Sequence, residues 1–248
     1  AMYRMYYGHL RMGNFRVRLS LHDKSSEKFV ARYDDWEHSE EIVRRVLDNL
    51  GIEYEEEAGE AAFYGPKVDI QVKNLMGREE TVSTCQLDFV MPERFDLTYV
   101  DADGERKRPY ILHRAPLSTH ERMISFLIEF YGGAFPTWMA PVQVRLVPVN
   151  AEVVDYAQNL EAKLKTSFLR ADTDTSDESF NKKIRNAVTQ KTPNIWILGK
   201  QEMEQGTVTW RRYATKDQKC VSAEEALVML ETMRRDRVMD NFADVDIC

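Results

Sequence analysis

The chain has 248 residues, of which 43% are hydrophobic and 30% charged, with a formal net charge of −7 at pH 7. This composition is typical of a globular protein with one large or two modest domains, and the acidic balance does not by itself indicate nucleic-acid binding. No apolar run approaches the roughly 18 residues of a membrane-spanning helix, so we expect no membrane partner. The N-terminus lacks the pattern of a signal peptide, and three widely spaced cysteines indicate a reducing, cytoplasmic location.

The first half of the chain has the residue alternation of an antiparallel sheet with few helices. Strands are predicted over 15–21, 68–72, 80–89, 95–100 and 110–113. A helix is predicted over 39–50, with Ser39 as its N-cap and Gly51 just past its end. Asp103 and Gly104 predict a tight turn between the last two of these strands.

A boundary is predicted where Gly132, Gly133, Pro136 and Pro141 interrupt the regular pattern. It divides the chain into domains 1–140 and 141–248. In the second domain, strands are predicted over 142–149, 168–173, 194–198 and 207–213, and helices over 151–167, 179–190 and 222–235. This order predicts a small mixed α/β domain, and the final dozen residues read as an acidic, frayed tail.

Residues 110–144 contain the most informative segment. An apolar strand ends in His113, two small hydroxyl residues (Ser118 and Thr119) follow, and Arg122 lies near the start of an amphipathic helix. The spacing of the helix predicts one buried stripe made of Ile124, Leu127, Ile128 and Tyr131. A cation on a packed helix beside a turn with free backbone donors suits a nucleotide phosphate. Considered alone, however, such a histidine is more often structural and such an arginine is usually a solvated charge.

Four runs of residues carry a resemblance to a known family. They are GEAAFYGPK (59–67), QLDF (86–89), HRAPLSTHER (113–122) and AFPTWMAPVQV (134–144). Together they closely resemble the threonyl-tRNA synthetases, a family of class II aminoacyl-tRNA synthetases. The resemblance implies that 1–140 is the distal part of an antiparallel-sheet catalytic core with its motif 3, and that 141–248 is an anticodon-binding domain.

The resemblance also implies a reaction and the residues that carry it. Threonine would be activated with ATP to threonyl-adenylate and then transferred to tRNA(Thr). Arg122 would act on the ATP phosphates as the catalytic residue, with Ser118 also at the ATP site. The threonine-binding residues would be Tyr64, Gln86 and Thr119, with Asp88 supporting Gln86. Many family members have Gly-Ser where this chain has Ser118-Thr119.

Two metal ions follow from the same resemblance. His113 matches one of three zinc ligands, and the other two lie upstream of the residues present here. In the family, zinc binds the amino and hydroxyl groups of threonine, which explains the discrimination against valine. Mg²⁺ accompanies ATP, and Thr81 stands where many members have a glutamine near that ion.

In the second domain, Arg185, Glu202 and Arg211 match positions that the family uses to read anticodon bases. Without the resemblance, each would be interpreted as a solvated surface charge. Arginine can pair with a guanine edge and a carboxylate can accept from a base amino group, so the residue types suit that role. Phosphate contacts are assigned to Lys182, Lys183 and Arg212, whereas Trp196 and Trp210 are assigned to the sheet core.

The motif 1 and motif 2 patterns of class II synthetases are not recognised in these residues. We therefore expect an upstream segment that carries them and forms a homodimer, and no ATP–pyrophosphate exchange from this chain alone. The alternative is a catalytically silent fragment or a paralogue that acts as a tRNA-binding module.

Overall fold

The computed structural model describes residues 2–74 and 76–240, so most of the tail predicted to fray lies outside the described residues. The chain forms two compact units, one of residues 1–8 and 12–130 and the other of residues 9–11 and 131–248. Within residues 2–74 and 76–240, none of the helices combines the length and the apolar composition needed to cross a lipid bilayer.

The described residues 2–74 and 76–130 form four helices and seven strands. In chain order they are α1 (Met2–His9), β1 (Phe15–Leu21), α2 (Tyr33–Asn49), β2 (Glu55–Ala58), β3 (Lys67–Lys73), β4 (Glu79–Asp88), α3 (Met91–Arg94), β5 (Tyr99–Val100), β6 (Arg106–Lys107), β7 (Ile111–Ala115) and α4 (His120–Phe130). A five-stranded sheet has the order β2-β1-β3-β4-β7. Its pairings are antiparallel except for β1 with β2.

Helix α2 begins earlier than predicted, at Tyr33, so Ser39 is not its N-cap. Ser39 is buried inside the helix, and its hydroxyl donates to the carbonyl of Trp36. Trp36 is fully buried, with its indole edge-on to Phe89 at 5.0 Å between ring centroids. The burial of this tryptophan extends the helix toward its N-terminus and outweighs the capping preference of the serine.

The turn at Gly104 joins β5 to β6 instead of joining the two strands that were predicted to flank it. The backbone N–H of Gly104 donates to the carbonyl of Asp101 at 2.9 Å, which closes a small two-stranded hairpin. The turn therefore follows a strand inside the predicted range 95–100, but it leads into β6 and not into the strand predicted over 110–113, since β7 pairs with β4.

Helix α4 and the residue that follows it bury only part of the predicted stripe, because Leu127 and Tyr131 are buried as predicted but Ile124 and Ile128 are not. Met123, Phe126 and Leu127 are buried, whereas Ile124 and Ile128 are 56% and 49% exposed. Apolar residues occur on nearly every side of this helix, so its periodicity fits more than one buried stripe.

From residue 144 onward the second unit alternates strands and helices. Its elements are β8 (Val144–Pro148), α5 (Val154–Thr166), β9 (Ala171–Thr173), α6 (Phe180–Thr189), β10 (Asn194–Leu198), α7 (Lys200–Gln205), β11 (Thr207–Arg212), β12 (Gln218–Ser222) and α8 (Ala223–Arg235). They build a five-stranded sheet of order β12-β11-β10-β8-β9. Helix α7 and strand β12 were not predicted. At the start of α8, Ser222 and Glu225 form a capping box.

The sheet of the second unit has an apolar core on each face. Trp196 and Trp210, each 1% exposed, lie in the cluster beneath α5 and α8, which confirms their assignment to the core. Ile195 and Ile197 face the opposite side and pack against Ile184 of α6. The sheet of this unit is therefore the middle of three layers, with α5 and α8 on one side and α6 on the other.

A buried ion pair lies inside the same unit. The Arg212 guanidinium is 2.7 Å from the Asp240 carboxylate, and it also donates to Asn194 Oδ1 at 2.6 Å. Asp240 accepts from the backbone N–H of Thr137 at 2.7 Å. The predicted phosphate contact of Arg212 is therefore wrong, and so is that of Lys183, which is 7% exposed and donates to the carbonyl of Asp174.

We expect Asp240→Ala to lower the free energy of unfolding of the second unit by about 3–5 kcal/mol, because it leaves the Arg212 guanidinium buried without its charge partner. Urea denaturation followed by tryptophan fluorescence measures this loss. Asp236→Ala is the control, since that exposed carboxylate pairs only with its neighbour Arg235 in the described residues. Equal losses in the two variants would contradict the importance of the buried pair.

Candidate functional site

A row of four polar side chains crosses the sheet of the first unit. Ser20, Lys67, Gln86 and His113 are successive register partners on β1, β3, β4 and β7. Directly opposed residues project to the same face of a sheet, so these four form one line, which we call the polar row. The sheet therefore presents a line of polar side chains contributed by four of its strands.

Asp69 anchors the cationic part of this face. Its carboxylate is 2.8 Å from Lys67 Nζ and 3.2 Å from Arg18 Nη2, and it accepts from Ser20 Oγ at 3.0 Å. Burial alone would raise the pKa of Asp69. The hydrogen bond and charge of Lys67, with hydrogen bonds from Thr84 and Arg18, bring that pKa below its ordinary value. The carboxylate therefore stays ionised and holds the lysine at the site.

The turn that carries Tyr64 docks on the end of β4 through its backbone. The N–H of Leu87 donates to the carbonyl of Pro66 at 3.0 Å, and the N–H of Phe89 donates to the carbonyl of Tyr64 at 3.1 Å. A Cβ on Gly65 would lie 1.8 Å from the carbonyl oxygen of Leu87. Only glycine allows so close an approach, so packing against β4 requires glycine at position 65.

Tyr64 and Gln86 contact each other directly. The phenol donates a hydrogen bond to Gln86 Oε1, and Gln86 Nε2 donates to Thr84 Oγ1 at 3.3 Å. The tyrosine ring also lies 5.3 Å from the His113 ring between centroids. Burial, and then the charge of Asp88, raise the pKa of Tyr64, which keeps the phenol a hydrogen-bond donor. The structure thus brings together three of the residues predicted from the motifs.

Asp88 has a different role from the one predicted. Its Oδ2 lies 2.8 Å from His113 Nε2, and its Oδ1 accepts from the backbone N–H groups of Val90 and Met91 at 2.9 Å each. It makes no hydrogen bond with Gln86 in the described part of the chain, so the prediction that it supports Gln86 was wrong. Sequence reasoning identified the residue but not the side chain that it positions.

Residues 116–122 connect β7 to α4. Ser118 has a φ of +56°, in the left-handed region that glycine tolerates best, which fits the glycine that many family members have there. Thr119 is the N-cap of α4, because its Oγ1 accepts from the backbone N–H of Arg122 at 3.3 Å. The Arg122 side chain is exposed, and its guanidinium has no hydrogen-bond or ion-pair partner among residues 2–74 and 76–240. The cation remains available to an external anion.

The described residues contain no group of three His, Cys, Asp or Glu side chains that could hold a metal ion. His113 therefore does not belong to such a group among residues 2–74 and 76–240.

In the second unit, the three predicted base-reading residues lie on α6, α7 and β11. Arg185 is exposed, while Arg211 Nε donates to the carbonyl of Thr215 at 3.0 Å. Glu202 accepts from the N–H of Gly199 at 2.9 Å and from Thr209 Oγ1 at 2.8 Å. Burial tends to raise the pKa of Glu202, but the hydrogen bond from Thr209 and the backbone bonds lower it. Its carboxylate is thus ionised and already oriented by the start of α7.

Thr209 and Arg211 are two residues apart on β11, so their side chains point to the same face of the sheet. Their register partners, Ile197 and Ile195, lie on the face that packs against α6. Glu202 accepts a hydrogen bond from Thr209, and Arg185 is part of α6 itself, next to the buried Ile184. All three predicted residues therefore belong to the α6 side of the sheet.

Comparison with known families agrees with this geometry. Residues 1–131 match the model of the tRNA synthetase class II core domain (G, H, P, S and T). The chain belongs to the class II aminoacyl-tRNA synthetases. Residues 143–233 match the model of an anticodon-binding domain.

Curated relatives make the likeness more specific. The threonine–tRNA ligase of Listeria welshimeri is 50% identical over 209 residues, which are 82% of this chain and 32% of that protein. The threonine–tRNA ligase of Streptococcus gordonii is 49% identical over 221 residues, which are 88% of this chain and 34% of that protein. The predicted resemblance is thereby confirmed, and the chain spans about a third of the length of these relatives.

Solved structures include a similar fold. The RNA-binding domain of threonyl-tRNA synthetase from Cryptosporidium parvum superposes with a TM-score of 0.81 at 28% identity, covering 98% of this chain and 59% of that one. The predicted fold class, an antiparallel-sheet synthetase core followed by a small mixed α/β domain, is confirmed.

We expect Gly65→Ala to lower the free energy of unfolding by about 3 kcal/mol, since the added methyl group would collide with the carbonyl of Leu87 and strain the backbone. Chemical denaturation measures the loss. Gly104→Ala is the matched control, because Gly104 also has a positive φ, of +84°, but has open space around it. That control should lose about 1 kcal/mol. Equal losses would mean that the contact with β4 does not require glycine.

Proposed function

We propose that this chain is the part of a threonine–tRNA ligase that contains one side of the amino-acid pocket and the anticodon-binding domain. Residues 1–140 would then form the distal catalytic core and residues 141–248 the tRNA-reading domain. The observation that carries this proposal is the polar row ending in His113, with Tyr64 hydrogen-bonded to Gln86 above it. A small polar amino acid needs several fixed donors and acceptors in one place, and this face supplies them.

The proposed reaction has two steps. The carboxylate of threonine attacks the α-phosphorus of ATP, the bond to pyrophosphate breaks, and threonyl-adenylate forms. A hydroxyl of the terminal ribose of tRNA(Thr) then attacks the carbonyl carbon, and AMP leaves. Neither step needs a nucleophile from the protein, so orientation and charge neutralisation would provide the rate.

Each candidate residue has a place in that scheme. Tyr64 and Gln86 would bind the polar groups of threonine, since their mutual hydrogen bond fixes both side chains. Thr119 would contribute to the same pocket while its hydroxyl caps α4. Ser118 would lie against the nucleotide, and Arg122, which has no partner among residues 2–74 and 76–240, would bind the ATP phosphates bidentately. Mg²⁺ would accompany ATP.

His113 is suited to be one ligand of a zinc ion. Asp88 already engages Nε2 at 2.8 Å, and metal-bound histidines usually give their second ring N–H to such an acceptor. Nδ1 is then the nitrogen that would bind the metal, with the remaining ligands supplied from upstream. When bound, zinc would supply a Lewis acid for the amino and hydroxyl groups of threonine.

The second unit would bind the anticodon of tRNA(Thr). Arg185 and Arg211 would pair with base edges, while Glu202 would accept from a base amino group. An upstream segment would supply the homodimer contacts. The remaining alternative is a tRNA-binding module without aminoacylation, which the separate core of the second unit favours.

Threonine-dependent ATP–pyrophosphate exchange by the protein at its full natural length tests the enzymatic proposal. We expect Arg122→Ala to lower kcat by about 100–1,000-fold, because the transition state loses a charge-assisted contact. Arg106→Ala, at an exposed arginine of the β5–β6 hairpin, should leave the rate unchanged. No exchange with threonine by the wild-type protein would exclude the ligase and leave the binding module.

Filter binding of tRNA(Thr) to the 248-residue chain tests the second unit. Arg211→Ala should weaken binding by about 1–3 kcal/mol, the loss typical of one base-reading arginine. Arg235→Ala removes an exposed arginine of α8 that is paired with Asp236, so it should bind like the wild type. Identical affinities for all three proteins would remove Arg211 from the recognition set.

A further inference from the structure

His113 has two ring nitrogens, and the proton can lie on either of them when the ring is neutral. The nitrogen that carries the proton cannot bind a metal, so the tautomer decides which atom is available. Nε2 is 2.8 Å from Asp88 Oδ2. An ionised carboxylate only accepts hydrogen bonds, so this contact requires the proton on Nε2 and leaves a lone pair on Nδ1.

The carboxylate that makes this contact is itself held in place. Asp88 is fully buried at the end of β4, and its Oδ1 accepts from the backbone N–H groups of Val90 and Met91 at 2.9 Å each. These donors lie at the start of α3, where Val90 is the N-cap and Met91 is the first helical residue. Both oxygens of Asp88 are therefore engaged, one with the backbone and one with the imidazole.

The His113 side chain, in contrast, is 43% exposed and lies on the edge strand β7. An exposed ring can rotate and exchange tautomers, whereas one hydrogen-bonded to a buried, immobile acceptor cannot do so freely. The tilted contact with the Tyr64 ring, at 5.3 Å, restricts it further.

We propose that Asp88 is a positioning residue that fixes His113 as the Nε2–H tautomer and thereby presents Nδ1 as a zinc ligand. The inference rests on the proposed function for the identity of the metal. The tautomer itself follows from the geometry of Asp88 and His113 alone.

Asp88→Asn tests the inference with almost no change in size. The amide oxygen should keep the backbone bonds to Val90 and Met91, which turns the amide NH₂ toward His113. Nε2 must then accept a hydrogen bond, so the proton moves to Nδ1 and the metal-binding lone pair is lost.

The first measurement is a long-range ¹H–¹⁵N correlation spectrum of the metal-free 248-residue chain, at a pH where histidine is neutral. The His113 signals are assigned with a His113→Gln variant. We expect the Nε2–H tautomer in the wild type and the Nδ1–H tautomer in Asp88→Asn. Asp101→Asn, in the β5–β6 hairpin, is the matched control and should resemble the wild type. An Nδ1–H wild type, or an unchanged tautomer in Asp88→Asn, would overturn the inference.

The second measurement is the zinc affinity of the protein at its full natural length, by competition with a chromophoric chelator. Asp88→Asn should weaken zinc binding by about 10–100-fold, the usual cost of losing the group that orients a histidine ligand. Asp101→Asn should not change it. Unchanged affinity in Asp88→Asn would overturn the role of Asp88 toward the metal.

The two measurements separate this inference from the proposed function. The tautomer is observed without metal, substrate or activity. An Nε2–H tautomer in the wild type, lost in Asp88→Asn, therefore supports the inference even if the protein shows no threonine-dependent exchange. Where Asp88→Asn fails to fold, the wild-type spectrum still decides between the two tautomers.

Discussion

The candidate pocket depends on one backbone contact, between the turn at Tyr64–Pro66 and the last residues of β4. Gly65 lies against the carbonyl of Leu87 at a distance that excludes a side chain, and hydrogen bonds on both sides of it complete the contact. Gln86 and Asp88 flank Leu87 and point to the opposite face from it. The same contact therefore fixes Tyr64 over Gln86 and sets Asp88 against His113. A small displacement of the turn would move the whole group, because the positions share one support.

Buried charge is used differently in the two units. In the first unit, the buried Asp69 carboxylate lies beside two cations, at 2.8 Å from Lys67 Nζ and 3.2 Å from Arg18 Nη2. In the second unit, Arg212 and Asp240 satisfy each other within a closed network. A buried ion pair adds little to the free energy of unfolding compared with apolar side chains of similar volume. Removal of either partner alone is strongly destabilising, so the pair fixes one arrangement of the chain. With Arg212 committed to this network, Arg185 remains exposed, whereas Arg211 donates from Nε to the carbonyl of Thr215.

The candidate site could be predicted in part. Motifs of four to ten residues identified Tyr64, Gln86, His113 and Arg122, and Tyr64 contacts both Gln86 and His113 in the structure. The partner of Asp88 could not be read from the motif, since its carboxylate reaches a strand 25 residues away. The burial of Arg212 was likewise invisible, because a charged residue at the end of a strand is exposed in most proteins and is paired here across 28 residues.

The sequence by itself determined the positions of most strands, the cap at Ser222, the turn at Gly65 and the family resemblance. These features depend on propensities, caps and turns, which act between neighbouring residues. Tertiary structure decided which face of α4 is buried, why Ser39 lies inside a helix, and which strand pairs with β7. Those outcomes depend on the residues that each surface meets, such as Trp36 against Phe89. An apolar pattern that fits several faces equally well is resolved only when a partner surface selects one of them.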